Sequence, residues 1–261
     1  MDMVTVVGLI VGFMGIVGGM VLEGGHLSAI VQPTAAVIVF AGTIGAVLVS
    51  TTKRDLSTGL ALLRLAFAGN QNEMLNRTMQ DLLGAARLAR QDSILALENR
   101  IDSFQHPFMK SVFKFVVDGV DGEVLRNVFE TKIQLEEENQ LAGAKIYADA
   151  GGYSPTIGII GAVLGLIHVM SNLTDTSKLG SGIAVAFVAT IYGVSSANLV
   201  FLPLASKIKR KVREESAVKE MILEGAVGIV NGLSPLVIQE KLHAFADELG
   251  PHLSGSINEA A

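Results

Sequence analysis

Four stretches of the chain, Met3–Leu22, Pro33–Thr52, Ala150–Thr174 and Leu179–Ser206, contain no Asp, Glu, Lys or Arg, and each is at least 20 residues long. A helix rises about 1.5 Å per residue, so each is long enough to cross a hydrocarbon core of about 30 Å. The stretches fall in two pairs. Between the pairs, Lys53–Asp149 carries 12 basic and 14 acidic residues, a composition that belongs in water. The pattern predicts an all-α membrane protein with four transmembrane helices in two pairs and a large helical cytoplasmic insert. It divides the chain into residues 1–52 (first helix pair), 53–149 (cytoplasmic helical domain), 150–206 (second helix pair) and 207–261 (cytoplasmic helical extension and tail).

Finer periodicities predict the elements outside the spans. Leu56, Leu60, Leu63 and Phe67 recur at helical spacing beside Lys53, Arg54 and Arg64, as on a helix lying along a membrane surface. Gln71–Phe104 reads as one continuing polar helix that ends before His106-Pro107. Asp118-Gly119 and Asp121-Gly122 mark a turn, and Glu123–Ala148 reads as helix again. No segment alternates with period two for long enough to argue a strand. The fourth apolar stretch flows without a breaker into Lys207–Val230, Pro235–Leu249 forms a last helix, and Gly250–Ala261 reads as a loose tail. Within the spans, Gly8, Gly12, Gly15 and Gly19, and again Gly158, Gly161 and Gly165, lie at spacings that let helix backbones approach closely in lipid. The plainer reading is that Gly is simply common in membrane helices.

Composition narrows the function classes. Half of the residues are hydrophobic and 17% are charged, against about a quarter in an ordinary soluble domain. A net charge of −5 with no basic stripe argues against nucleic-acid binding. The absence of Cys removes disulfides, zinc ribbons and thiol chemistry. The first apolar stretch lacks a basic leader and is soon followed by a second, so it reads as a retained span rather than a signal peptide. Lys and Arg concentrate in the insert and the C-terminal segment, whereas the links between paired spans hold only Lys178. The insert and both termini are therefore expected on the cytoplasmic side.

Familiar catalytic patterns are missing: no phosphate loop, no His-Glu-x-x-His and no Gly-x-Ser-x-Gly. His26, His106, His168, His243 and His252 are scattered, and no cofactor or metal is expected. The spans hold hydroxyls such as Thr190, Tyr192, Ser195 and Ser196 but no carboxylate and no fixed cation. An ion carrier needs an intramembrane acid to bind a proton or offset a cation's desolvation. If this chain moves ions, a partner must supply that acid. Thr190 reads either as an ion-pathway hydroxyl or as one bonded back to the Ala186 carbonyl. Pro155 reads as a first-turn helix proline and Pro203 as a kink where the helix leaves the bilayer, and both are also candidate hinges.

Tyr153–His168 and Val185–Gly193, followed by Ala197–Ala205, resemble the third and fourth spans of flagellar motor stator A subunits, the MotA/PomA family. Arg90–Glu98 resembles the family's rotor-facing segment, and Ser234–Leu242 its C-terminal element. The resemblance covers nearly the whole chain. It implies a ring of five A subunits around two B subunits, each B contributing a membrane helix with an essential Asp and a peptidoglycan-binding domain. Ion flow would then turn the rotor protein FliG from the bacterial inner membrane. Carried over by motif, Arg90 and Glu98, with Arg87 beside them, are rotor contacts. Thr190, Ala162, Pro155, Pro203 and Tyr192 belong to the ion pathway. On one continuous helix, Arg90 and Glu98 would lie about 80° apart around the axis and face one partner groove.

The resemblance also bears on the coupling ion. Sodium-type members of the family carry Thr within Gly-Thr-Leu-x-Gly, where this chain has Gly161-Ala162 and then Gly165. A methyl cannot coordinate Na⁺, so H⁺ is expected rather than Na⁺. An ExbB/TolQ-like energising subunit is the nearest alternative, although four spans and the Arg90–Glu98 segment argue against it. A non-conducting membrane scaffold would need only the packing features. A small-solute transporter would call for duplicated halves or a midplane charge, and neither is present.

Overall fold

The computed structural model describes residues 3–67, 72–174 and 176–249; the expected tail Gly250–Ala261 and the expected helix start at Gln71 lie outside them. Every regular element among the described residues is helical. Among the described residues, four helices are long and apolar enough to cross a membrane. The first span is Met3–Leu22. The second begins at Pro33, where the missing N–H falls among donors a helix start leaves free. It passes through a π turn at Val37–Ala41 and ends with Gly42–Ser50.

The third span is the far part of one helix, Gly122–Ser171. Pro155 lies inside this helix, which corrects the expectation of a helix start there. A proline in a helix interior costs about 3 kcal/mol through its lost N–H and its clash with the carbonyl four residues back. Here that carbonyl belongs to Gly151, and the buried Ser154 hydroxyl, 2.7 Å from Ser196 Oγ, pins the same turn to the fourth span. The fourth span runs from Thr176–Ser196 through a π turn, Ala197–Phe201, into Leu202–Val230. Pro203 follows the π turn, where hydrogen bonds already reach five residues back, as from the Leu202 N–H to the Ala197 carbonyl.

The chain packs as two compact units. One takes residues 1–69 and 139–210, the other 70–138 and 211–261. In the first unit, Thr52 caps the helix Lys53–Ala66 by accepting from the Asp55 N–H. The helix's buried face is Gly59, Leu62 and Ala66, while Leu60 of the expected membrane-surface stripe is 62% exposed. Backbone contact decides the face. A Cβ on Gly59 would sit 2.8 Å from the Gly143 carbonyl oxygen, and one on Gly143 would sit 2.9 Å from the Gly59 nitrogen. The Tyr147 hydroxyl donates to the Gly59 carbonyl at 2.9 Å.

The second unit has a core of the kind soluble proteins build. Met79, Leu82, Phe113, Leu125, Met221 and Ile222 are all at most 1% exposed. Its expected polar helix is interrupted. Asn72–Gln91 ends, Ser93 is extended (φ −174°, ψ 167°), and Ile94–Ser103 follows as tighter 3-10 turns. Asp92 and Ser93 are weak helix formers, since short polar side chains favour turns and caps over helix interiors. Pro107–Val117 comes next, with the His106 ring accepting from the Phe108 N–H at 3.2 Å as its N-cap. The last helix is Pro235–Leu249.

Candidate functional site

The third and fourth spans meet backbone to backbone. A Cβ on Gly158 would lie 2.8 Å from the Ala189 carbonyl oxygen and 3.5 Å from Thr190 Cα. One on Gly165 would lie 2.8 Å from the Ala186 nitrogen, and one on Gly193 would lie 2.6 Å from the Ser154 carbonyl oxygen. The third-span glycines are thus packing glycines, one of the two readings their spacing allowed. Gly182, Ala186, Ala189 and Gly193 form the matching stripe on the fourth span. Sequence reasoning passed over them, although their i, i+4, i+7, i+11 spacing was there to find. The first-span glycines differ: Gly8, Gly15, Gly18 and Gly19 have nothing within 4 Å of a built Cβ, and only Gly12 approaches another span, at Leu199.

This seam brings Pro155 and Thr190 together. A Cβ on Gly193 would be 3.2 Å from Pro155 Cα, and Thr190 borders Gly158 across the same crossing. The Thr190 hydroxyl is half-buried and donates to the Ala186 carbonyl at 3.3 Å. It also borders a crevice of about 410 Å³ walled by Ile16, Val17, Met20, Ile191 and Val194. Ala162 is half-buried beside Gly161 and offers only a methyl.

Tyr192 and Pro203 lie apart from that crossing. The Tyr192 hydroxyl donates to the Ile30 carbonyl at 2.6 Å and lies 3.3 Å from the Gln32 N–H, while its ring stacks on Phe40. Tyr192 therefore clamps the link between the first two spans. Pro203 is exposed, 13 residues beyond Thr190, or roughly 20 Å along a helix.

Arg87 and Arg90 occupy the last turns of Asn72–Gln91, and Glu98 lies in Ile94–Ser103. All three are exposed. The break at Asp92-Ser93 removes the premise that Arg90 and Glu98 share one helix, so their expected 80° separation does not apply. Among the described residues none of the three has an ion-pair partner, which leaves their charges open to another molecule.

Two charged clusters in the same unit gave no signal in the sequence beyond one i,i+4 pair each, because their other partners are far apart along the chain. Lys219, only 6% exposed, pairs with Glu136 at 2.7 Å and Glu215 at 2.9 Å. Burial opposes its charge, but the two carboxylates outweigh burial and raise its pKa. His106 is lowered by burial and then by the nearby Lys219 charge, against the pull of Glu215 and Glu136. Arg126 bridges Glu130 and Glu224, and the hydrogen bond it makes holds the Glu224 carboxyl below its ordinary value. No group of three metal-ligating side chains occurs among the described residues.

The geometry has counterparts among known proteins. The profile of the MotA/TolQ/ExbB proton channel family matches residues 100–221, and that of the motility protein A N-terminal region matches residues 6–91. Motility protein A of Bacillus subtilis is 35% identical over 242 residues, covering 93% of this chain and 90% of that one. A solved structure of C. jejuni MotAB superposes with a TM-score of 0.87 at 29% identity, over 94% of this chain and 96% of that one. The flagellar MotAB stator complex from Bacillus subtilis superposes with a TM-score of 0.82 at 34% identity, over 93% and 95%. With relatives matched over nine-tenths of its length and a fold shared with both complexes, the chain belongs to the MotA/PomA family of motility protein A subunits.

Proposed function

We propose that this chain is the torque-generating A subunit of a bacterial flagellar stator, working in the inner membrane as a multi-pass ring with a B subunit. The observation that carries this reading is the near-complete structural match to two MotAB complexes by a bundle with no acid in its spans. The A ring has five copies around two B helices, and the essential Asp comes from B. Both termini and the insert face the cytoplasm, as the Lys and Arg distribution supports. The work is ion-coupled rotation, not catalysis.

In this reading the Gly158–Gly193 crossing is a stiff wall that holds Thr190 and Pro155 beside the B helix, with Ala162 facing the same path. Tyr192 holds the link between the first two spans, and Pro203 marks the fourth span beyond the crossing. The coupling ion is H⁺: Ala162 and the back-bonded Thr190 provide no ring of oxygens for Na⁺. Moving one charge through 100 mV releases about 2.3 kcal/mol, enough to bias a conformational step.

Arg87, Arg90 and Glu98 form the face toward FliG. Charge reversal tests it: Glu98→Lys is expected to abolish or severely slow swimming, and a reversed charge on FliG to restore it. Failure of every compensating FliG change to rescue would rule out direct contact. A periplasmic reporter fused after Thr78 is expected to be inactive, and activity there would invert the topology.

A further inference from the structure

One helix of the water-facing unit carries two unlike surfaces on opposite flanks. Along residues 122–138, Leu125, Phe129 and Ile133 turn into the core. At about 100° per residue, Glu130, Gln134 and Glu137 fall on one flank and Val124, Val128 and Leu135 on the other, with the two sets about 130° apart. The first flank lines a cleft of about 440 Å³, completed by Leu223 and Glu224. Ile133 and Leu223 give the cleft an apolar floor. Arg126 pairs with Glu130 and Glu224, and Lys241 with Glu224, whereas Glu137 has no ion pair among the described residues.

The second flank is apolar and open. Val124, Val128 and Leu135 are 52%, 45% and 56% exposed. Phe115, 40% exposed, stands edge-on to Phe129. The Lys132 ammonium lies 5.7 Å above that same ring, and neither Lys132 nor Lys114 has a carboxylate partner among the described residues.

We infer that the Val124–Val128–Leu135 stripe of one subunit seats in the acid-rimmed cleft of the next copy of this chain, head to tail around the ring. The inference rests on the reading of the chain as a ring-forming stator subunit. A cyclic ring is built from heterologous contacts, two different patches that complement one another on every subunit. This helix presents such a pair, with the Lys132 and Lys114 cations beside one patch and the Glu137 carboxylate at the other. A two-fold contact would have to bring both patches of each subunit into one interface, which their separation of about 130° around the helix opposes.

The chain contains no Cys, so disulfide trapping can test the contact in the full-length complex with its B subunit in native membranes. Val128→Cys and Gln134→Cys combined in one chain are expected to give an oxidised ladder up to the closed ring. Either variant alone gives no dimer, and the two singles co-expressed stop at dimers. Adding Glu137→Lys to the double variant is expected to abolish the ladder, and adding Lys132→Glu as well to restore it. Complex size and helix content of each variant are checked first.

A dimer from Val128→Cys alone would overturn the head-to-tail contact, as would an unlinked double variant in a complex that still runs as a multimer. A cross-link to the B subunit would make B the occupant and overturn the proposal. A ladder indifferent to Glu137→Lys would overturn the charge pairing. A complex that runs as a single A subunit would instead sink the stator reading, and this contact with it.

Discussion

Gly193 has no room for a methyl group: its nearest neighbours are backbone atoms of Ser154, Gly158 and Pro155, which cannot rotate away. Gly193→Ala must therefore spread the third and fourth spans by several tenths of an ångström. The expected result is loss of swimming with a lower yield of assembled complex, read by motility in soft agar and by size on a detergent column. Gly15→Ala, where nothing lies within 4 Å within the chain, is the contrast and should leave the chain's own fold intact, since Ala is the better helix former by about 1 kcal/mol. His106 makes a second prediction. Its ring accepts the Phe108 N–H, so the neutral form caps the helix, and folding lowers its pKa from 6.5. The stability this provides is complete above 6.5 and is lost as pH falls through the lower folded value. Amides 108 and 110 should lose hydrogen-exchange protection as pH falls below 6.5, after correction for intrinsic rates, and His106→Asn should flatten that dependence while keeping a cap. At this scale the sequence was half legible. Gly158, Gly161 and Gly165 announced a seam, but nothing local pointed from His106 to Lys219, 113 positions on.

Elements were most legible where physics leaves least choice. A run of 20 residues without charge in lipid must satisfy its backbone within itself, and all four such runs are helical. Errors came where tertiary packing competes with local preference. The helix through Pro155 continues because the Ser154–Ser196 contact and the glycine crossing offset the proline's defect. The break at Asp92-Ser93 was missed because two polar residues in a polar helix look ordinary. Replacing both with Ala should extend Asn72–Gln91 and swing Glu98 around the axis. Swimming should then slow with normal membrane levels of the protein. Tyr192→Phe tests the clamp on the first link. With the Ile30 carbonyl losing its donor, destabilisation of about 1–3 kcal/mol is expected, visible as earlier thermal loss of helix in detergent.

For the molecule as a whole, the feature that governs function is what the spans omit. Lacking an acid, the bundle should conduct nothing alone, and expressing it without its partner should leave cytoplasmic pH and growth unchanged. With the partner present, swimming speed is expected to follow proton-motive force and to ignore sodium at constant force. A speed that tracks sodium would overturn the ion assignment. The proposed ion path rests on family resemblance, since Thr190 shows by itself no more than a hydroxyl bonded to its own helix. The two π turns, Val37–Ala41 and Ala197–Phe201, bear on how the chain tolerates change in length. Each holds one surplus residue as a bulge. Excising a single residue there would tighten the loop to ordinary α geometry and keep the faces on either side in phase. The same excision elsewhere in a span would turn every later side chain by about 100°. The wide turns are thus the places where these spans can be shortened without re-aiming their packing faces, and where a one-residue gap between relatives would leave both flanking segments seated as before.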